Sequence, residues 1–587
     1  MCTSTVPPPL YVPAVKIYAN SKLLDFPQLN ALATLHRNSD SRKFEAPERF
    51  DSNMCQHRYS PFVRFFLLLF LSVLTFSVRS LRILQIVPGF TNSHVLFNYR
   101  LAQTLADMGH SVTLWTQMEM AMVFAGDLKL PEGVIEHRVP IHFRDRLKVE
   151  GLKVFQEMIF ARGTPYELWW TGREFQEMRL EACEQMLNEA DALRQKWAKF
   201  DLAIGHFHDL CPVMLAERVG VQRMVWVTHG TSLYDFTAVT LGIRTLPSFV
   251  PHPLSSNGDR MSFTGRLKNV LWHLSGIEFV NLPEALLHDE NKMYEQMSRG
   301  RDNLWALSVR SVPVLLINGE RFLDFPRPLP PNIGFMGELA TIGGKKAATD
   351  GGGGQLEPDL ASIYSRPGSK GVVVFSMGTV SNTSNMPPEM AQSFLDAFGK
   401  MPTIDFLWKT EQTELAGAKQ LPNVHLRRWI PQKKLMKHPK TLLLLAHGGY
   451  NSFLEASKMG VPVVLVPLFA DQHINAERAK RFGIAVTLDK LALSAEAIHS
   501  ALSRVLEDSR FSRNARRLST MLAASVPAPS QMPAPVHLRH SLKLAMAPRT
   551  DLFTLKAAQA LGFFQFHCVD LALPSALLIT LLMLTFS

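Results

Sequence analysis

Residues 441–472, TLLLLAHGGYNSFLEASKMGVPVVLVPLFADQ, decide how the chain folds. TLLLLA (441–446) is an apolar run of strand length that stops at His447-Gly448-Gly449. Helical spacing then runs through Leu454 to Lys458, before a second apolar run, VPVVLVPLF (461–469). Buried strand, glycine turn, helix and buried strand form a unit that needs a right-handed crossover and therefore a parallel sheet. The glycines let another group approach the backbone closely, and the helix starting near Asn451 and Ser452 offers free N–H groups to an anion. His447, Asn451 and Ser452 can add side-chain donors. Glu455, one turn into the helix, would repel a phosphate but can accept hydrogen bonds from vicinal hydroxyls. A phosphate at the helix start and a ribose beside Glu455 describe a nucleotide.

Working outward, WIPQ (429–432) closes the run NVHLRRW (423–429). It offers the flat face of Trp429 to a base and the amide of Gln432 to polar edges. Asp471 and Gln472 follow the next strand end, where sugar hydroxyls could bind. GVVVFSMG (371–378) and TIDFLWKT (403–410) supply further strands of the same sheet. An earlier set repeats the pattern: LRILQIVP (81–88), helical spacing from Val95 to Leu105, and SVTLWT (111–116). Two doubly wound α/β sheets are expected, with a cleft between the carboxyl ends of their strands. The glycine-rich stretch LATIGGKKAATDGGGGQLEP (339–358) has little to pack and reads as the connector.

The 587 residues are 47% hydrophobic and 19% charged, which excludes a disordered, collagen-like or coiled-coil chain. The net charge of +11 is mostly spread along the chain, with its clearest excess in 501–550, and is read as solvated helix face rather than a nucleic-acid surface. Five scattered cysteines without a CxxC pair exclude a disulfide scaffold and argue against a cysteine zinc site. His206, His208 and Asp209 are too weak a pattern to be read as a metal set. Near the start, FFLLLFLSVLTFSV (65–78) follows His57, Arg58 and Arg64, the layout of a secretory signal. At the other end, LALPSALLITLLMLTFS (571–587) is uncharged and reads as a membrane anchor. The expected divisions are an N-terminal extension (1–64), a signal peptide (65–79), a first α/β domain (80–330), the connector (331–358), a second α/β domain (359–545), a return segment (546–570) and a transmembrane helix (571–587).

In order, spacing and residue type, 429–472 resembles the signature of the UDP-glycosyltransferases, the family of the UDP-glucuronosyltransferases. FSMGTV (375–380) and PSFVPHPLSSNGDRMSFTGRLKN (247–269) extend the likeness over most of 80–570, with an invertebrate, nematode-like flavour. The resemblance implies the glycosyltransferase B fold: two Rossmann-like domains, the first binding a small lipophilic acceptor and the second a UDP-sugar. It also implies a detoxifying, single-pass endoplasmic reticulum membrane enzyme with a lumenal body, no metal, and no cofactor beyond the UDP-sugar co-substrate. Homo- or hetero-oligomers are left open. Carried over by position, Trp429 stacks on uracil, Gln432 contacts the nucleoside, and His447, Asn451 and Ser452 hold the diphosphate around Gly449. Glu455 holds the ribose, Asp471 and Gln472 hold the transferred sugar, and Gly378 and Thr379 line the other side of the phosphate pocket.

Displacement at an anomeric carbon needs a base for the acceptor proton and charge stabilisation for the departing UDP. His94, on the loop after the first strand, lies where the family places its catalytic histidine. The family orients that histidine with an acid after a strand beginning Phe-Asp, here FDLAIG (200–205), but His206 stands at the expected position. Asp209, three residues on, is the candidate replacement. The expected activity is inverting transfer of glucose or glucuronic acid to a hydroxyl, and the alternative is a catalytically impaired UDP-sugar binder. A dinucleotide oxidoreductase is disfavoured because no GxGxxG follows the first strand.

Overall fold

The computed structural model describes residues 80–587 except 90–91, 119–129, 144–157, 161–164, 198, 208–209, 229, 231–237, 239–240, 244–245, 254, 274–287, 299–302, 338–355, 379–380, 416, 526–533, 548–562 and 587. The extension and signal expected over 1–64 and 65–79, and most of the glycine-rich connector, lie outside the described residues. Arg79–Ser587 form one compact unit.

Within it stand two sheets whose strand pairs all run parallel. The first comprises β1 (Arg82–Val87), β2 (Ser111–Met118), β3 (Ile135–Pro140), β4 (Leu202–His206), β5 (Met224–Thr228), β6 (Val314–Ile317) and β7 (Ile333–Phe335), in the order β3-β2-β1-β4-β5-β6-β7. The second comprises β8 (Gly371–Ser376), β9 (Ile404–Lys409), β10 (Val424–Arg427), β11 (Thr441–Ala446), β12 (Val463–Leu465) and β13 (Ala485–Thr487), in the order β10-β9-β8-β11-β12-β13. Reversal of strand order beside β1 and beside β8 makes each sheet doubly wound. The continuous apolar runs follow from burial on both faces. Val373 and Phe375 of β8 enter one core with Leu443 and Leu445 of β11, while Val372 and Val374 enter the other with Leu444 and Ala446.

The helices that matter for the site are α1 (Asn92–Asp107), α2 (Pro165–Lys196), α3 (Cys211–Arg218), α4 (Phe263–His273), α5 (Tyr450–Met459), α6 (Gln472–Arg481), α7 (Ala534–Met546) and α8 (Val569–Phe586). Cys183 of α2 and Cys211 of α3 form a disulfide. Sequence spacing gave no sign of it, because the partners are 28 residues apart on separate helices. α7, but for its last residue Met546, lies within the segment 359–545 assigned above to the second domain, yet it packs on the first sheet. Leu538, Leu542 and Ala545 join the core of Val314 and Leu316, and Arg223 Nη1 donates to the carbonyls of Ala545 (3.3 Å) and Ala547 (3.1 Å).

The two sheets meet at the carboxyl ends of their strands. A Cβ on Gly230, just past β5, would sit 3.2 Å from the ring of Tyr450, just past β11, so glycine gives that ring its seat. The Tyr450 hydroxyl accepts from Glu320 N (2.9 Å), and Lys458 pairs with Glu320 (2.9 Å). Deeper in, Arg478 of α6 donates to Asp324 Oδ1 from Nη2 (2.7 Å) and Nε (3.1 Å). Burial alone would raise the Asp324 carboxyl, but the Arg327 and Arg478 guanidinium groups outweigh it and hold it below the usual range.

The transmembrane helix expected over 571–587 is not found: among the described residues no helix is long and apolar enough to cross a membrane. α8 has 18 residues, with Asp570 and Pro574 in its first half. At 1.5 Å per residue it reaches roughly 27 Å, short of the ~30 Å of hydrocarbon. Leu571, Leu577, Leu578, Leu581, Leu582 and Leu584 are nevertheless exposed.

Candidate functional site

The second sheet's cradle is built on the turn after β11. Gly448 adopts φ +87°, and a Cβ there would meet Gln472 O at 3.0 Å. A Cβ on Gly449 would lie 2.5 Å from His447 Nε2, and one on Gly378, at φ +83°, 2.5 Å from His447 Cε1. The imidazole is thus caged between two glycines at the start of α5, and neither could carry a side chain without displacing it. Burial pushes the His447 pKa down to about 4, with Lys409 acting in the same direction. His447 is therefore neutral at physiological pH. A neutral imidazole beside open helix N–H groups suits an anion without adding a full charge.

Lys409 was missed by the sequence reading. It is a buried lysine ending β9, IDFLWK, and that charge at the carboxyl end of a core strand is the signal that could have found it. Its Nζ donates to Gly378 O (3.0 Å) and to Glu411 Oε1 (2.6 Å). Burial would raise Glu411, but bonds from Lys409 and Thr383 outweigh it and keep the carboxyl ionised. The pair fixes the Gly378 turn from below. Thr379, assigned beside it, lies outside the described residues.

Gln432, Ser452 and Glu455 converge. Gln432 Nε2 donates to Glu455 Oε2 (2.9 Å) and lies 3.3 Å from Ser452 Oγ. Asn451 is exposed at the first turn of α5. Trp429 is 71% exposed, so its indole is not spent on the core. Gln472 is buried, and its Oε1 accepts from Leu468 N (2.7 Å) and Phe469 N (3.2 Å), which holds the preceding turn. Asp471 stands just before α6, its side chain making no capping bond, and follows Ala470, a non-glycine residue at φ +52°. Burial raises the Asp471 carboxyl, against the bond that Asn475 Nδ2 donates to its Oδ2 (3.0 Å). Asn475 also donates to Gly448 O (3.0 Å), tying this acid to the glycine turn.

On the first sheet, His94 sits in the first turn of α1, after the β1 loop. Gly89 of that loop packs its Cα against the Gln117 carbonyl, leaving no room for a Cβ. Burial lowers the His94 pKa to about 4, so the ring is a free base at neutral pH. Beneath it, Asn98 Nδ2 donates to His94 O (2.8 Å) and lies 2.8 Å from His206 Nε2, while Gln85 Nε2 donates to Asn98 Oδ1 (2.5 Å). The His94 and His206 ring centroids are 5.5 Å apart. The residue at the expected acid position therefore does face His94, but as a buried imidazole. Asp209, the proposed replacement, lies outside the described residues.

The family described as "UDP-glucoronosyl and UDP-glucosyl transferase" matches residues 86–586. UDP-glucuronosyltransferase ugt-60 of Caenorhabditis elegans is 55% identical over 506 residues, covering 86% of this chain and 96% of its own. Human UDP-glucuronosyltransferase 3A2 is 29% identical over 446 residues, covering 75% and 80%. Among solved structures, Phytolacca americana UGT2, complexed with UDP-2fluoro-glucose and pterostilbene, superposes with a TM-score of 0.53 at 16% identity, covering 79% of this chain and 99% of that one. Os79 from O. sativa, in complex with UDP, gives the same TM-score and identity over 79% and 100%. The architecture is the glycosyltransferase B fold, with two parallel-sheet Rossmann-like domains.

Proposed function

The chain belongs to the family of UDP-glucuronosyl and UDP-glucosyl transferases and is a UDP-glycosyltransferase; from that premise we propose that it transfers glucose or glucuronic acid, with inversion, to a hydroxyl of a small lipophilic acceptor. The observation that carries the reading is the pairing of two neutral, partly buried histidines with separate tasks. His94, on the first sheet, is a free base able to take the acceptor proton. His447, caged by Gly378 and Gly449 at the start of α5, receives the diphosphate as it leaves. Attack of the acceptor oxygen on the anomeric carbon forms one C–O bond and breaks the bond to UDP, which departs with the electron pair. The acceptor proton passes to His94 Nε2 or Nδ1 and then to water. Asp209 would stabilise the imidazolium so formed, a task that His206, an acceptor through Nε2, performs less well than an anion.

Around the leaving group, the α5 N–H groups, Asn451 and Ser452 meet the diphosphate, Glu455 and Gln432 the ribose, Trp429 the uracil, and Asp471 with Gln472 the sugar. Since these groups meet the leaving charge, our reading assigns the reaction no metal and no further cofactor. The Cys183–Cys211 disulfide fits an oxidising compartment. With the signal-like run at 65–78 and the exposed leucines of α8, it supports a body in the lumen of the endoplasmic reticulum, held at the membrane. UDP release by the full chain, measured with UDP-glucose and UDP-glucuronic acid separately against phenols and aliphatic alcohols, tests the reading. Release that requires one donor and an acceptor is expected. Tight UDP binding with no release from any pair would overturn it.

A further inference from the structure

Asn475, fully buried one turn into α6, has both ends of its side-chain amide committed. Its Nδ2 carries two protons: one goes to Gly448 O (3.0 Å) and the other to Asp471 Oδ2 (3.0 Å). Its Oδ1 accepts from Arg478 Nη1 (2.6 Å). These partners fix which end of the amide is which. A guanidinium only donates and a carbonyl only accepts, so the oxygen must face Arg478 and the nitrogen Gly448. An apolar side chain of the same shape would leave three buried partners each short of a bond. A carboxylate would set an anion against Asp471.

Arg478 takes its own direction from the first domain. It is buried, and its Nε and Nη2 both donate to Asp324 Oδ1 (3.1 and 2.7 Å) while Nη1 turns to Asn475. Asp324 lies between β6 and β7, two strands of the first sheet, and its other oxygen, Oδ2, accepts from Arg327 Nη2 (2.6 Å). The ring of Phe325, the next residue, faces the guanidinium carbons of Arg478 and Arg481 at 5.8 and 5.9 Å. Arg481 in turn pairs with Asp259 of the first domain (3.1 Å). A buried ion pair is a weak source of stability; what this one supplies is a fixed direction for the guanidinium fork.

We propose that Asn475 is a positioning residue for the transferred sugar: it aims Asp471 and closes the Gly448 turn, in an orientation that Asp324 of the first domain imposes through Arg478. The inference rests on the assignment of Asp471 and Gln472 to the sugar under the proposed function. The contacts run from Asp324 to Arg478 to Asn475, and from there to Asp471 and to the turn beside His447. Asp471 makes no capping bond to α6, so the bond from Asn475 is what ties its carboxylate to the helix. The sugar end of the second domain's site is thereby set by a residue of the first. UDP alone carries no sugar for Asp471 to hold, and this difference separates aiming from packing.

Asn475→Asp keeps the shape and the acceptor for Arg478 but places a second carboxylate against Asp471. Two carboxylates so close come to share a proton. The charged group acting on Asp471 is Arg478, itself paired with Asp324. At pH 8 the two carboxylates repel; at about pH 5.5, still above the His94 and His447 values of about 4, a shared proton restores a donor to Asp471. Calorimetric Kd values of the full chain for UDP, UDP-glucose and UDP-glucuronic acid read the effect. Relative to the wild type, Asn475→Asp at pH 8 should lose at least about tenfold more affinity for the UDP-sugar than for UDP. It should regain at least about threefold of that at pH 5.5, whereas Asn475→Ala should show the selective loss at both pH values. Arg478→Lys, which keeps the cation without the fork, should show a smaller selective loss. Thermal midpoints check that each variant folds. Equal losses for UDP and UDP-sugar in Asn475→Asp, or a selective loss indifferent to pH, would overturn the proposal and make Asn475 a packing residue. A wild-type ratio in Arg478→Lys would overturn the dependence on the first domain. Unchanged UDP-sugar affinity in Asp471→Ala would instead sink the sugar assignment on which the inference rests.

Discussion

Asn98 Nδ2 stands 2.8 Å from His206 Nε2 and, through the same nitrogen, donates to the carbonyl of His94. A nitrogen already donating to a carbonyl must also donate to the ring, so His206 accepts at Nε2 and carries its proton on Nδ1. The buried imidazole whose ring centre lies 5.5 Å from that of His94 thus meets an amide, at the position where an acid was expected.

Replacing that imidazole by a carboxylate should change His94 in a defined way. His206→Asp is expected to stabilise the His94 imidazolium and move the acidic limb of kcat/KM upward by about one pH unit or more. His206→Asn should leave the limb in place. The pH–rate profiles of the two variants check this, and an unmoved limb in His206→Asp would mean that the two side chains do not communicate.

His94 and His447 also contribute to the acid stability. Burial lowers both His94 and His447 from 6.5 to about 4, so between those values the unfolded chain binds more protons than the folded one. Stability should therefore fall as pH drops through that window. Urea midpoints at pH 7 and pH 5 should differ less in His447→Gln than in the wild type.

Trp429 should matter for the ligand and not for the fold. Its ring is 71% exposed, so Trp429→Ala should leave the thermal midpoint nearly unchanged. Loss of a base-stacking face costs about 1–3 kcal/mol, or roughly 5- to 150-fold in UDP affinity by calorimetry. A large loss of stability with UDP affinity intact would return Trp429 to the core.

Gly378 is held by both its conformation and its neighbour. Gly378→Ala combines a left-handed φ of +83° with a Cβ 2.5 Å from His447, whereas Gly368→Ala has φ +77° and nothing within 4 Å. Both should lose about 1 kcal/mol of stability from backbone strain, but only Gly378→Ala should also weaken UDP binding, by at least about tenfold if His447 is displaced.

The strands that read correctly from sequence are those buried on both faces. GVVVFS of β8 and TLLLLA of β11 are unbroken apolar runs because helices cover both sides of the sheet. Of the four edge strands only β10 was visible, within NVHLRRW: β3 reads IEHRVP, with only Val139 fully buried, and β7 and β13 have three residues each, too few to show a period. The residues proposed to meet the UDP-sugar could be grouped from sequence because most of them lie along one short stretch around a glycine turn. Lys409 and the Asn98–His206 contact were not, since one comes from a neighbouring strand and the other joins residues 108 apart.

The most direct test of the central claim is turnover and UDP binding by the full chain carrying His94→Ala. Removing a general base should lower kcat by about 10²- to 10⁴-fold, with the calorimetric Kd for UDP unchanged, because the donor cradle belongs to the other sheet. Retained turnover in that variant would contradict the account and remove His94 from the chemistry.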